Sequence, residues 1–338
     1  MKIRGRVLVL AVSMPIVAFA VIGGFMSKAM AREDSYQYLR IFEDVVSLIL
    51  NNYVEEVNVD KVMHGAMHGL ADGLDPDSAY LDAAQVKTLD KGDSLAAGQT
   101  GLEITRQYYL RVIAARDGSP AAKAGLMPGD YIRAIDGQST RDTTVYEGQR
   151  LLRGKPGTKV RLTVLRGNAV EPHEIDLVRE DLPALAVKSR MAGASVGYVR
   201  VAEFGKNTAE QIKSEIASVQ KSGAKGVVID LRGTAFGDVD TGLAAARLFV
   251  KSGVLAYRQD RGKEKEAINA ATGDGAITVS TVLLTDNGTS NGAEVFAAAL
   301  SGNKRAQLIG ERTLGRAAHQ KLVRLPDGGA LMLTHLIY

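Results

Sequence analysis

"SPAAKAGLMPGDYIRAIDG", residues 119–137, leaves its backbone few choices. Pro120 suits the first position of a helix, Gly129–Asp130 mark a turn, and Asp136–Gly137 are the pair that closes a two-residue hairpin. Outward from this stretch, residues 97–181 are short β-branched runs punctuated by Gly, Pro and Asp. Within them "EGQRLLRGKPGTKVRLTVLR", residues 147–166, reads as a helix, a turn built on Gly and Pro, and a strand.

Further out the texture changes on both sides. After residue 190 strands and helices alternate. "GASVGYVRVAEF" reads as a strand, 207–222 as a helix, "GVVIDLRG" as a buried strand, and 239–251 as a helix. "AITVSTVLLTD" is a further strand and 292–301 a further helix. Such alternation predicts helices packed on a parallel or mixed sheet, with chemistry in the loops at the carboxyl ends of the strands, here 230–238 and 285–294. On the other side, 36–52 and about 59–72 carry apolar residues at helical spacing, and "DGLDPDSAYLD" closes that region with a proline-broken turn. His64 and His68 stand at i, i+4, but Gly65 occupies the position of a metalloprotease glutamate and no third ligand follows. The pair reads as structural, with no metal expected.

The 338 residues hold 42 bases against 38 acids, for a net charge of +4. Residues 1–31 contain Lys2, Arg4, Arg6 and Lys28 and no acid, which leaves 38 bases against 38 acids in the remainder. No basic stripe survives to argue for a nucleic-acid partner. A positive start, a nearly continuous apolar stretch over 7–26 and "AMA" at 29–31 predict a signal peptide or an uncleaved membrane anchor. Either exports the body of the protein to the periplasm or holds it at the inner membrane facing it. Without cysteine, no disulfide, metal thiolate or cysteine nucleophile is available.

The pattern around 119–137 resembles a PDZ domain. PDZ domains take peptide ends by adding them as a strand to a sheet edge and hold the terminal carboxylate in a nest of backbone N–H groups. The resemblance puts that nest at Thr100, Gly101, Leu102, Glu103 and Ile104. Gly101 is expected to turn amides towards the anion, with Leu102 and Ile104 on either side of the groove. "LDPDSAYL", the PDZ pattern, "DLRG", "GAEVFAAAL" and "GERTLG" then follow in an order that resembles the C-terminal processing peptidases, or tail-specific proteases, over residues 36–338.

That resemblance implies a multidomain α+β chain. An export segment spans 1–31, a helical region 32–96, a PDZ domain 97–182, and an α/β core of the ClpP/crotonase-like peptidase type 183–338. The core stops where the family usually continues with a Pro-Ser-Gly-rich segment and further strands, as a naturally short chain or a fragment would. The family's enzymes are serine endopeptidases without a cofactor, using a Ser–Lys dyad assisted by Gln. Anchored on Glu294, the nucleophile position falls on Asn291; "GERTLGRAAHQ" places Arg316 at the lysine position, 25 residues on, and Gln320 at the glutamine. Gly237 and Gly292 fall at the oxyanion positions, although Phe236 replaces one glycine of that loop.

Asparagine has no hydroxyl to acylate, and arginine stays protonated and cannot act as the base. Losing such a nucleophile costs on the order of 10⁶ in kcat. Ser290, with Lys321 as its base, is the nearest substitute nucleophile, though one step along a helix turns a side chain by about 100°. Structurally, Asn291 reads as an N-cap with Glu294 completing a capping box, and Arg316 as a surface cation or a clamp for a carboxylate. The leading expectation is a pseudopeptidase that binds the C-terminal tails of exported proteins. Its other partners would be an active peptidase of the same family or a second copy of itself. A working serine endopeptidase and a structural or oligomerising envelope protein are the alternatives.

Overall fold

The computed structural model describes residues 36–91, 97–167 and 171–338. The expected export segment over 1–31 lies outside the described residues. The chain divides into two compact units, residues up to 66 and residues 67–338. In the first, residues 36–52 form helix α1, which ends with Asn51 and Asn52 bonding back to the carbonyls of Ser47 and Leu48. Helix α2 is Val59–Asp72. Among the described residues no helix is long and apolar enough to cross a membrane.

In the second unit, strand β1 (Ala79–Leu81) is fully buried and leads into helix α3 (Ala83–Asp90), which opens on a capping box between Asp82 and Gln85. The 119–137 fingerprint folds as its residue types require. Ser119 caps the short helix α4 (Pro120–Lys123) through the Ala122 N–H, with Pro120 in the first turn. Strand β5 (Tyr131–Ile135) turns at Asp136 and Gly137, both at positive φ (49° and 80°), into β6 (Gln138–Ser139). Asp130 is buried against a bidentate Arg166 at 2.8 and 2.7 Å. The sheet around it runs β3–β4–β5–β7–β8, with β3 (Leu102–Gln107), β4 (Tyr109–Ala115), β7 (Lys159–Leu165) and β8 (His173–Val178). Helix α5 (Val145–Leu152), with its own Thr144–Glu147 capping box, packs on β3. β2 (Gly98–Gln99) and β9 (Glu180–Asp181) pair where the chain enters and leaves this region.

The core has two sheets. One runs β10–β11–β12–β15–β16, from β10 (Lys188–Met191), β11 (Val196–Arg200), β12 (Gly226–Asp230), β15 (Ser280–Thr285) and β16 (Ala306–Gly310). Its last four strands are parallel, joined by α6 (Thr208–Lys221), α7 (Val239–Arg247) and α8 (Asn291–Gly302). The predicted strand–helix alternation is therefore a parallel layer, buried around Val199, Ile229, Leu283 and the chain of rings Phe204, Phe296 and Phe249, whose centroids lie 5.5 and 5.6 Å apart. The second sheet escaped the sequence reading. It joins β13 (Val254–Asp260), β14 (Glu266–Asn269), β17 (Ala318–Arg324) and β18 (Ala330–Ile337) to β1, with β18 against β1, β13 and β17.

Candidate functional site

Two loops leave the carboxyl ends of adjacent parallel strands and bind each other. Gly233 donates to Asp286 Oδ1 at 2.8 Å, Thr289 Oγ1 to the Leu231 carbonyl at 2.9 Å, and Ser290 N–H to the Thr234 carbonyl at 3.1 Å. The second loop delivers Asn291 at the mouth of α8 with φ +51°. Few non-glycine residues hold this left-handed conformation, and asparagine is among the most tolerant. Ser290, extended at φ −149°, is the N-cap residue, and its hydroxyl makes no capping bond.

The expected Asn291–Glu294 capping box is therefore absent, for a physical reason. Glu294 is turned outwards to the 313–316 segment, accepting from Thr313 Oγ1, Gly315 N–H at 2.7 Å and Arg316 N–H at 2.8 Å. Asn291 N–H donates to the Arg316 carbonyl at 3.1 Å, and its Nδ2 donates across to the Ala235 carbonyl at 3.2 Å. These bonds hold the two sequence-predicted positions, 25 residues apart, against each other.

Arg316 is not a surface cation. Its side chain is 19% exposed and ion-paired to Asp77, itself 9% exposed, with Nε donating to Oδ2 at 2.6 Å. Nη1 donates to the Ile104 carbonyl of β3 at 3.0 Å. Asp77 is held in place by Asp75, whose Oδ1 accepts the Asp77 and Ser78 N–H groups at 2.8 Å and Thr334 Oγ1 at 3.2 Å. Thr334 Oγ1 in turn accepts from Gln320 Nε2 at 3.3 Å. Burial raises the Asp77 carboxyl above its ordinary value, outweighing the opposing pull of Arg316.

Asn291, Arg316, Gln320 and Gly237 line one polar cavity of about 240 Å³ together with Glu103 and Gln149. Glu103 comes from β3 and Gln149 from α5, so the expected peptide groove and the expected catalytic positions open into the same space. Burial pushes the Glu103 carboxyl up to about 7, against the pull of Arg316. Asp77 and Arg316 also form a wall of a larger, mainly apolar hollow of about 1280 Å³, between β3, β13 and α8.

Other expected residues lie apart from this cavity. Ser290 is 1% exposed, its hydroxyl has no partner among the described residues, and it does not line the cavity; Lys321 is exposed on β17. Gly292 is buried, and a Cβ there would overlap the Asp238 carbonyl, at the contact between α7 and α8. Gly237 sits beside the Phe204 carbonyl in an isolated bridge. Thr100 and Gly101 use their carbonyls to accept from Ala121 and Arg116 N–H, and a Cβ on Gly101 (φ +78°) would overlap Ser119. The side chains of Leu102 and Ile104 do not lie on either side of a groove: both are buried in the PDZ core, because residues two apart in a strand share a face. His68 packs edge-on against Tyr80, and among the described residues no cluster of His, Cys, Asp or Glu could hold a metal.

The sequence reading missed Asp77 and Gln149. A buried arginine calls for a carboxylate, and "DPDS" offered one, but nothing local names a partner 239 residues away.

Residues 195–338 match the profile of peptidase family S41, 111–166 that of the PDZ domain, and 23–85 that of the activating protease CtpB N-terminal domain. The carboxy-terminal-processing protease of Bartonella bacilliformis is 30% identical over 95% of this chain and 78% of its own length. The carboxy-terminal processing protease CtpA of Bacillus subtilis is 32% identical over 85% of this chain, and the carboxyl-terminal-processing protease of Synechocystis 34% over 67%. The chain spans 62% and 53% of the length of those two. Among solved structures, a photosystem II D1 C-terminal processing protease shares the fold at a TM-score of 0.70, with 25% identity over 87% of both chains.

Proposed function

The chain belongs to the family of carboxy-terminal-processing proteases, and from that premise we propose that it binds C-terminal peptide tails of exported proteins without cutting them. The observation that carries this reading is the shared cavity, in which Asn291 stands at the nucleophile position and Arg316, paired to Asp77, at the base position. An amide cannot form an acyl-enzyme, and a guanidinium held by a carboxylate cannot accept a proton. The groove side retains what peptide capture needs: an edge strand, β3, beside α5, and a loop whose turn depends on Gly101. The buried hydroxyl of Ser290 and the exposure of Lys321 speak against a substitute dyad. The apolar stretch over residues 7–26 supports export, which would place groove and tails in one compartment.

The test uses the full chain in mild detergent at high concentration. An unfolded protein with an apolar C-terminus is incubated with it and followed by mass spectrometry, with Ser290→Ala as control. The substrate should stay intact, while its labelled tail binds in fluorescence anisotropy and Gly101→Glu abolishes that binding. Cleavage that disappears in Ser290→Ala would overturn the reading.

A further inference from the structure

The free edge of the PDZ sheet and the residue at the lysine position meet at one carbonyl. In strand β4, Val112 donates its N–H to the Asp130 carbonyl and accepts from Gly129 N–H, so both of its main-chain groups face away from β3. Ile104 is opposite Val112 in register. Directly opposed residues of an antiparallel pair either both bond across the pair or both face outwards. Ile104 therefore turns its N–H and C=O to the outer side of β3, and β3 is the terminal strand of its sheet. An incoming peptide strand pairs with such outward groups. The Ile104 carbonyl already accepts from Arg316 Nη1 at 3.0 Å, while Nε and Nη2 of the same guanidinium hold Asp77.

Resting on the peptide-binding reading above, we propose that Arg316 sets the affinity of the groove: its guanidinium occupies the Ile104 carbonyl in place of a peptide N–H, and a C-terminal tail binds by displacing it. The displaced guanidinium remains anchored through Asp77, so exchange needs only one of its bonds to open. The linkage is reciprocal: whatever Arg316 gains at Ile104 is subtracted from the tail, and tail binding loosens Arg316 by the same factor. The device follows from a residue of this chain, since only a long, forked cation reaches both Asp77 and β3.

The probe is a fluorescein-labelled pool of decapeptides with Ala, Val or Leu at the last three positions, titrated against the full chain by anisotropy. Arg316→Gln is combined with Asp77→Asn so that the buried Asp77 carboxylate is not left without its cation; Arg316→Lys, which keeps the Asp77 pair but lacks the fork, is the second variant. Both should bind the pool more tightly than the wild type, the double variant by about tenfold. Thermal denaturation identifies any variant that fails to fold, and the other then decides. If the wild type binds and the folded variants bind equally or more weakly, the latch is wrong, with peptide capture intact. If neither wild type nor folded variants bind the pool, the peptide-binding reading fails and takes the latch with it.

Discussion

The PDZ sheet and the cleft beside it share a cavity and differ in what they have kept. In the PDZ sheet, conformation and chemistry are one: the turn at Asp136–Gly137 and the carboxylate of the Asp130–Arg166 fork rest on residue types within the fingerprint, and the loop before β3 rests on Gly101. In the cleft, on the reading proposed above, the geometry stands without the chemistry. Asn291 holds a left-handed backbone, Glu294 binds the 313–316 segment, and Gln320 lines the cavity. On the proposed reading, the Asn291 amide and the Arg316 guanidinium stand where a hydroxyl and an amine would act. Backbone demands and reactive atoms are thus separable, and the comparison can be tested from either side.

The largest effect lies in restoring the atoms. Asn291→Ser with Arg316→Lys should remain inactive, because Asp77 would hold the new ammonium charged. Adding Asp77→Asn should produce cleavage detectable by mass spectrometry, since nucleophile and base act as one unit worth on the order of 10⁶ in kcat. Activity in the double variant would show that Asp77 does not control the site. A silent triple variant would locate the defect in the oxyanion loop, where Phe236 stands.

Next comes the groove loop. Gly101→Ala combines a left-handed φ with an overlap against Ser119. It should cost roughly 2–4 kcal/mol in chemical denaturation. A neutral result would show that this loop adapts and that the conformational side of the comparison is weaker than drawn.

Legibility followed the same division. The fingerprint over 119–137 and the alternation after 190 could be read because each rests on local rules of turn and period. Asn291 and Arg316, 25 residues apart, lie in contact, with the Asn291 N–H on the Arg316 carbonyl. What could not be read depended on distant chain. Asp77 reaches Arg316 through the pairing of β1 with β18, and opposite Glu103 the strand β4 carries an extra residue, Ile113, that no period in the sequence marks. The second sheet joins residues 79–81 to 330–337, a pairing no periodicity records.

The cavity's acids predict a pH dependence. Burial raises the Glu103 carboxyl from 4.5 to about 7 and shifts Asp77 in the same direction. Between those values the folded chain holds a proton that the unfolded chain has released. The stability tied to Glu103 is therefore complete below about pH 4.5 and is lost as pH rises through about 7. Glu103→Gln should flatten that slope and stabilise the protein at pH 8 by roughly 1–3 kcal/mol. Melting curves of both proteins between pH 4.5 and 8 check it; parallel curves would mean that Glu103 is hydrated and the cavity wetter than its lining implies.

The smallest effect separates two accounts of Asn291. As an N-cap, asparagine and aspartate are nearly equivalent, so Asn291→Asp should leave stability unchanged. In the observed arrangement Nδ2 donates to the Ala235 carbonyl, and a carboxylate there loses the donor and faces an acceptor. Asn291→Asp should then cost about 1–2 kcal/mol, while Asn291→Gly, free of the left-handed penalty, offsets much of its own lost bond. Equal stability of wild type and Asn291→Asp would return Asn291 to a capping role and remove the Ala235 bond from what holds this loop.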